Sequence, residues 1–241
     1  MNGTIVNAVA IIFGGIIGCF LRKGIKKQFE EALYKVLGLA IIIIGLNGVL
    51  TNMLSVSDGG IISSRNELLL VVSLALGTLI GEWGSLERRL EAFSNSIEKK
   101  FSVNGFSEGF ISASTIFCVG AMAIIGSIND GVLHDSSVLY TKSLLDFTVA
   151  MVLASTFGAG VIFSFIPVFI YQGAITLFSG YLQGYLVGEL LSRVCMTGYS
   201  LVMVIGINFL FNTKIKTVNM LPAILVPVAY DLLLRVIEFI G

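Results

Sequence analysis

LLDFTVAMVLASTFGAGVIFSFIPVFIYQGAITLFSGYLQGYLVGELL, residues 144–191, carries no charged side chain between Asp146 and Glu189. A membrane-spanning helix needs roughly 20 predominantly apolar residues. This run is too long for one crossing and suits two, and Pro167 marks the expected break because proline disfavours helix in the residue before it. The rest of the chain has the same character. Hydrophobic residues make up 56%, charged residues 12%, and mean hydropathy is +0.94. Soluble domains carry about 25% charged residues, so the solvent for most of this surface is lipid. The sequence therefore predicts an all-α, polytopic transmembrane bundle.

Eight candidate spans follow: 4–21, 33–54, 67–83, 109–128, 144–165, 167–187, 194–211 and 219–239. Arg22 and Lys23 follow the first apolar run, and no basic residue precedes it. That order predicts a retained first helix with an outer N-terminus. With eight spans, eleven Lys and Arg residues fall on the inner side, and Arg65, Lys142, Arg193 and Arg235 on the outer side or its helix ends. Seven spans would send Lys214 and Lys216 outward and blur that bias. The longest polar stretch, 84–108, sets Leu86, Leu90 and Phe93 on one helical face and charges on the other. The pattern fits an amphipathic helix on the inner surface or a solvated connector.

One domain, 1–241, is expected. Two strings, GLAIIIIGLN (38–47) and GYSLVMVIGIN (198–208), end alike in Gly-x-Asn. In the eight-span arrangement they run in opposite directions, as inverted halves 1–108 and 109–241 would.

Polar groups in apolar helices are candidates for function. Asp231 stands in the last span with Arg235 one turn on: either an ion or proton site, or a neutralised pair near the outer interface. Pro222 and Pro227 kink or break that helix. Asn47 and Asn208 need partners in lipid, either another helix or a solute path. Asp146 is read near the outer mouth, attracting cations or capping its helix. Ser155 and Thr156 are small hydroxylated residues suited to lining a pore. Gln172, following Tyr171, is a further amide at membrane depth or near the inner boundary. The path residues expected are thus Asn47, Asp146, Ser155, Thr156, Asn208 and Asp231.

Gly14/Gly18, Gly77/Gly81 and Gly180/Gly184/Gly188 form four-residue ladders, which predict close helix contacts within the chain or in a homo-oligomer. Trp83 reads as an interface anchor. Cys19, Cys118 and Cys195 lie in apolar stretches as free thiols, and His134 stands alone, so neither a metal site nor a cofactor is expected. Lys+Arg and Asp+Glu both total 15, so charge does not call for nucleic acid. No P-loop, HExxH or GxSxG is present, and no enzyme is expected. The partners expected are the bilayer and a small solute or cation.

Five strings carry a family resemblance: GEWGSLERRLE (81–91), FCVGAMAIIGSINDG (117–131), KSLLD (142–146), YQGAIT (171–176), and KIK (214–216) followed by LPA (221–223). With these the chain resembles, over its whole length, the bacterial membrane family known as domain of unknown function 554. The resemblance implies a multi-pass inner-membrane protein of transporter type, with no substrate or catalytic residue supplied. The leading expectation is ATP-independent movement of a small solute or ion. The alternative is a membrane scaffold or sensor that binds a partner through 84–108.

Overall fold

The structure is a computed structural model that describes residues 1–22, 27–56, 60, 62–90, 92, 106–118, 121–186 and 188–240. The first three long helices are α1 (Asn2–Arg22), α2 (Lys27–Met53) and α3 (Glu67–Gly84). Next come α4 (Phe106–Cys118), α5 (Ala121–Val132) and α6 (Ser137–Phe157). Two short helices, α7 (Gly160–Phe163) and α9 (Ser179–Leu182), flank α8 (Phe165–Leu177). The chain ends with α10 (Gly188–Phe211), α11 (Thr217–Met220), a 3-10 turn over Leu221–Leu225, and α12 (Val226–Ile240).

Among the described residues, seven segments are long and apolar enough to cross a membrane, and α4 with α5, bent by 61°, make a broken eighth span or a re-entrant pair. Each of these overlaps one of the eight spans expected from hydropathy, although the fifth and sixth are displaced. The protein is an all-α, multi-pass membrane bundle. One small exception was not foreseen. An antiparallel hairpin, β1 (Leu54–Val56) with β2 (Ile62–Ser64), joins α2 to α3 and pairs Ser55 with Ser63.

The long 144–191 run divides elsewhere than expected. Its break is at Gly158, whose φ of 79° and ψ of −152° belong to a region open essentially to glycine alone. Pro167 instead sits in the first turn of α8, where a missing N–H costs nothing because that donor has no intrahelical partner. The first helix of the run also starts earlier than residue 144. Asp135 accepts from the Ser137 N–H (2.9 Å) and α6 begins there. That bond holds the Asp135 carboxyl below the usual carboxylate range. Asp146 therefore lies near the middle of α6, not at its mouth. The sixth span is shorter than expected: α8 stops at Leu177, and among the described residues nothing stands within 4 Å of where a Cβ on Gly180 or Gly184 would be.

The other two ladders are contact surfaces within the chain. A Cβ on Gly14 or Gly18 would strike the carbonyl oxygens of Phe147 and Met151, so α1 and α6 run side by side with backbones touching. Gly77 and Gly81 meet Ala223 and Asn219 in the same way. A second tight pair is antiparallel, with Gly38 of α2 against Gly206 and Leu210 of α10. The helices bearing the two similar strings thus pack against each other. One apolar core, including Ile11, Ile41, Phe117, Leu153, Val168 and Ile205, ties together α1, α2, α4, α6, α8 and α10.

The ends of the bundle differ. At one end lie Arg22 beside Gly158, the Lys216–Glu82 ion pair (2.9 Å), and a clasp in which the Glu87 N–H donates to Asn219 Oδ1 (2.7 Å) and the Val218 N–H to Glu87 Oε2 (3.1 Å). We call this the basic end. Residues 86–90 are helical there, with Leu86 and Leu90 half-buried and Arg88 and Arg89 exposed; the remainder of the expected 84–108 amphipathic segment, residue 91 and 93–105, lies outside the described residues. Trp83 is exposed at the same end, as an interface anchor would be.

Candidate functional site

The close approach of α1 to α6 decides what faces what. One turn is three to four residues, so Thr4, Asn7 and Ile11 share the face of α1 that carries Gly14 and Gly18. On α6 the same logic sets Lys142 and Asp146 one above the other. Nζ of Lys142 donates to Asp146 Oδ2 in a direct ion pair, and both side chains are at most 10% exposed. Asn7 Nδ2 donates to the same carboxylate oxygen (3.0 Å) and to Gln172 Oε1 of α8 (3.2 Å). One turn toward the end opposite the basic one, Thr4 Oγ1 lies 3.4 Å from Thr176 Oγ1. Beyond them Ser136 Oγ donates to Asp130 (2.6 Å). Asn7, Thr4 and Gln172 are fully buried. Charges inside a bilayer bundle are costly and persist when paired or functional.

Two polar atoms of the cluster have no hydrogen-bond partner among the described residues: Asn7 Oδ1 and Gln172 Nε2. The direction of the amides is fixed by chemistry. A carboxylate only accepts, so Asn7 must turn its NH2 to Asp146. That NH2 in turn requires the carbonyl of Gln172.

On the other side of α4 are two cavities. One of about 820 Å³ opens at the basic end and is lined by Glu82, Glu87, Arg88, Lys214 and Lys216, and deeper by Ile111, Ser112, Ile205, Asn208 and Phe209. The second, about 220 Å³ and mostly apolar, is lined by Ser114, Thr115, Cys118, Tyr171, Val194, Cys195 and Gly198. Ile111, Ser114, Thr115 and Cys118 follow i, i+3, i+4, i+7 along one face of α4. Val194, Gly198, Ile205 and Phe209, at i, i+4, i+11 and i+15, likewise share one face of α10. The two cavities therefore lie in file along the same two helix faces, and the second ends at the bend between α4 and α5. Past Cys118 stands the buried pair, with Lys142 Nζ 5.9 Å from the centre of the Phe117 ring.

The residues expected from sequence divide. Asp146 is the heart of the buried cluster. Thr156 is buried on the same helix near the basic end, with its Oγ1 unpartnered, while Ser155 is half-buried and donates to the Val152 carbonyl (2.7 Å). Asn208 lines the larger cavity, but its amide closes the following loop: its Oδ1 accepts from Thr213 (2.8 Å) and the Ile215 N–H (2.9 Å), and its Nδ2 donates to the Ile215 carbonyl (2.9 Å). Asn47 is exposed on the outer face of α2, away from Asn208 and both cavities. Asp231 belongs to a separate network near the end opposite the basic one. It accepts from Arg235 (2.8 Å) and Arg193 (3.5 Å), and Arg193 also holds Glu189 (2.7 Å) and Asn66 (3.2 Å). Two guanidinium groups already neutralise this carboxylate. Among the described residues no three His, Cys, Asp or Glu side chains gather as a metal site would require.

Asn7 and Lys142 escaped the sequence reading. Asn7 sits in a plain apolar helix, and Lys142 looked like a helix boundary. The signal was the spacing of Lys142 and Asp146, which is that of an intrahelical pair.

Fold and site together define a multi-pass helical membrane protein with an ionised pair and two amides sealed in its core. The family described as "Protein of unknown function (DUF554)" matches residues 2–232, and the chain belongs to it. It is 34% identical over 227 residues to the "Uncharacterized membrane protein YdfK" of Bacillus subtilis (strain 168), with 94% of each chain covered. It is 27% identical over 231 residues to the "Uncharacterized protein YqgA" of Escherichia coli (strain K12), covering 92% of this chain and 93% of that one. No solved structure matches.

Proposed function

We propose that this protein carries a small solute or ion across a bacterial cytoplasmic membrane without hydrolysing ATP, and that it is not an enzyme. The basic end faces the cytoplasm in this reading, following the positive-inside rule, and both termini lie outside. The observation that carries the proposal is the file of two cavities along α4 and α10, leading from the basic end to the bend between α4 and α5. Broken helices beside a midplane cavity are where secondary transporters bind their cargo. The wide cavity is lined by acids and bases in similar number, which suits a polar solute better than a strongly charged one. The pairing of α2 with α10 through similar strings supports inverted halves.

The test is flux in proteoliposomes over a panel of labelled ions and small solutes. A cysteine-free background with Ser112→Cys, labelled after folding by a bulky maleimide, plugs the larger cavity without disturbing assembly. Flux that the label abolishes is expected. Absence of flux over the whole panel, from folded and correctly inserted protein, would overturn the proposal in favour of a scaffold.

A further inference from the structure

We propose that Asn7, Lys142, Asp146 and Gln172 form a proton-binding switch, in which protonation of Asp146 reverses the direction of the Asn7–Gln172 hydrogen bond. The inference deepens the transport reading and rests on it only for its purpose, namely coupling passage to a proton gradient.

Depth comes first. Asp146 stands nine residues into α6, which at 1.5 Å per residue is about 14 Å, close to the midplane of a hydrocarbon core about 30 Å thick. A group there is reached from either side only through protein. The ligand class follows from what faces the carboxylate. Metal cations want several oxygen ligands, whereas Asp146 Oδ2 receives two N–H donors, from Lys142 and Asn7. Such a carboxylate has its positive partner built in, and the ligand left to it is a proton.

The orphan atoms supply the second state. With Asp146 ionised, Asn7 gives both its bonds from Nδ2, leaving Asn7 Oδ1 without a donor and Gln172 Nε2 without an acceptor. When a proton joins Asp146, the pair passes from net zero to net +1, with Lys142 still ammonium and Asp146 now a carboxylic acid. The acid has an O–H to give. If both amides turn over, Asn7 Oδ1 accepts from Asp146 and from Gln172 Nε2. The same two contacts are kept with reversed polarity, so neither setting is favoured by hydrogen-bond number and the proton decides between them. Release of that proton restores the ion pair, and no other bond is made or broken. Because the three partners sit on α1, α6 and α8, the setting is felt by three spans at once.

Other groups around the pair fit this role. Cys118 of α4 and Tyr171 of α8, which precedes Gln172, both line the smaller cavity next to it. α1 contributes Thr4 and Asn7, neither of which titrates. The Thr4–Thr176 contact, with Asp130 and Ser136 beyond it, marks a polar route toward the end opposite the basic one.

Infrared difference spectroscopy of the lipid-reconstituted protein, stepped from alkaline to acidic buffer, tests this. The native protein is expected to gain the C=O stretch of a buried carboxylic acid together with a shift of side-chain amide bands. Asp146→Asn loses the acid band, Asp146→Glu moves it, and Asn7→Leu keeps an acid band but loses the amide shift. Because a lone buried charge can prevent folding, the double variant Lys142→Met/Asp146→Leu serves as a folded control that lacks both signals. Native and Asp146→Asn spectra that change identically would show Asp146 staying ionised and overturn the proposal. The readout needs no transport. An acid band without flux sinks the transport reading alone, and flux without an acid band sinks the switch alone.

Discussion

Lys142–Asp146 and Asp231–Arg235 have the same spacing, the same chemistry and apolar neighbours, yet the structure gives them opposite surroundings. The first pair is sealed between α1, α6 and α8, with its carboxylate held by an amide from another helix. The second lies in the later part of the last span, Thr217–Ile237, where Arg235 is 47% exposed and a second guanidinium comes from α10. The difference arises across the interface and not within the pair. Gly14 and Gly18 let α1 close onto α6 and seal one pair. α12, by contrast, turns much of its surface outward. A local i, i+4 pattern therefore reports neutralisation, while burial depends on what packs opposite.

The sharpest way to break this comparison is to remove one charge. Lys142→Met or Asp146→Leu alone strands a buried ion and should cost about 3–5 kcal/mol. The double variant should regain most of that loss, since an apolar pair of similar volume is often neutral or better. Thermal unfolding in a fixed detergent measures all three. Equal losses for the single and double variants would mean that the pair is not a unit.

Next in size are the glycines that create the seal. Gly14→Val forces α1 away from the Phe147 carbonyl and should cost about 1–3 kcal/mol, with the Asn7–Asp146 bond lost as well. Gly180→Val meets nothing among the described residues and should stay within about 0.5 kcal/mol. A large loss at Gly180, appearing only as the protein is diluted, would instead place that face in a contact between copies.

The break in the long apolar run offers a third contrast. Gly158→Ala puts a Cβ on a backbone that side chains avoid, beside Arg22, and should cost about 1–3 kcal/mol. Pro167→Ala should lie within about 0.5 kcal/mol, because the first turn of α8 asks for no N–H there.

These cases show which features could be read beforehand. Hydropathy located the seven long apolar spans and the bent α4/α5 pair, because span length and lipid exposure leave little choice. It placed the break wrongly, because proline is the stronger punctuation in a sequence, whereas a glycine at positive φ looks like any other small residue in a membrane helix. Asp146 stood out as a charge, but its depth was misjudged, since Lys142 was taken as the edge of the membrane when it is the partner inside it. Asn7 gave no local sign, because its importance comes from residues 139 and 165 positions away. Asn47 and Asn208 looked alike in sequence. Only helix rotation, which periodicity fixes poorly in a uniformly apolar helix, sends one outward and the other to a cavity.

Among the charged pairs the smaller effect is expected at Asp231–Arg235, which the sequence offered either as an ion site or as a neutralised pair. Asp231→Asn leaves Arg193 bonded to Glu189 and Asn66, and leaves Arg235 exposed and stacked over Tyr185 at 5.0 Å, so no charge is stranded. The loss should be about 1 kcal/mol or less, and should shrink further as salt is added, because the site is open enough for screening. Unfolding of Asp231→Asn at low and high ionic strength measures both, with Asp146→Asn alongside as the buried counterpart. A salt-insensitive loss at Asp231 matching that at Asp146 would place both acids in the same dry interior and dissolve the contrast between them. A small, screened loss would leave Asp146 as the acid to follow through a transport cycle.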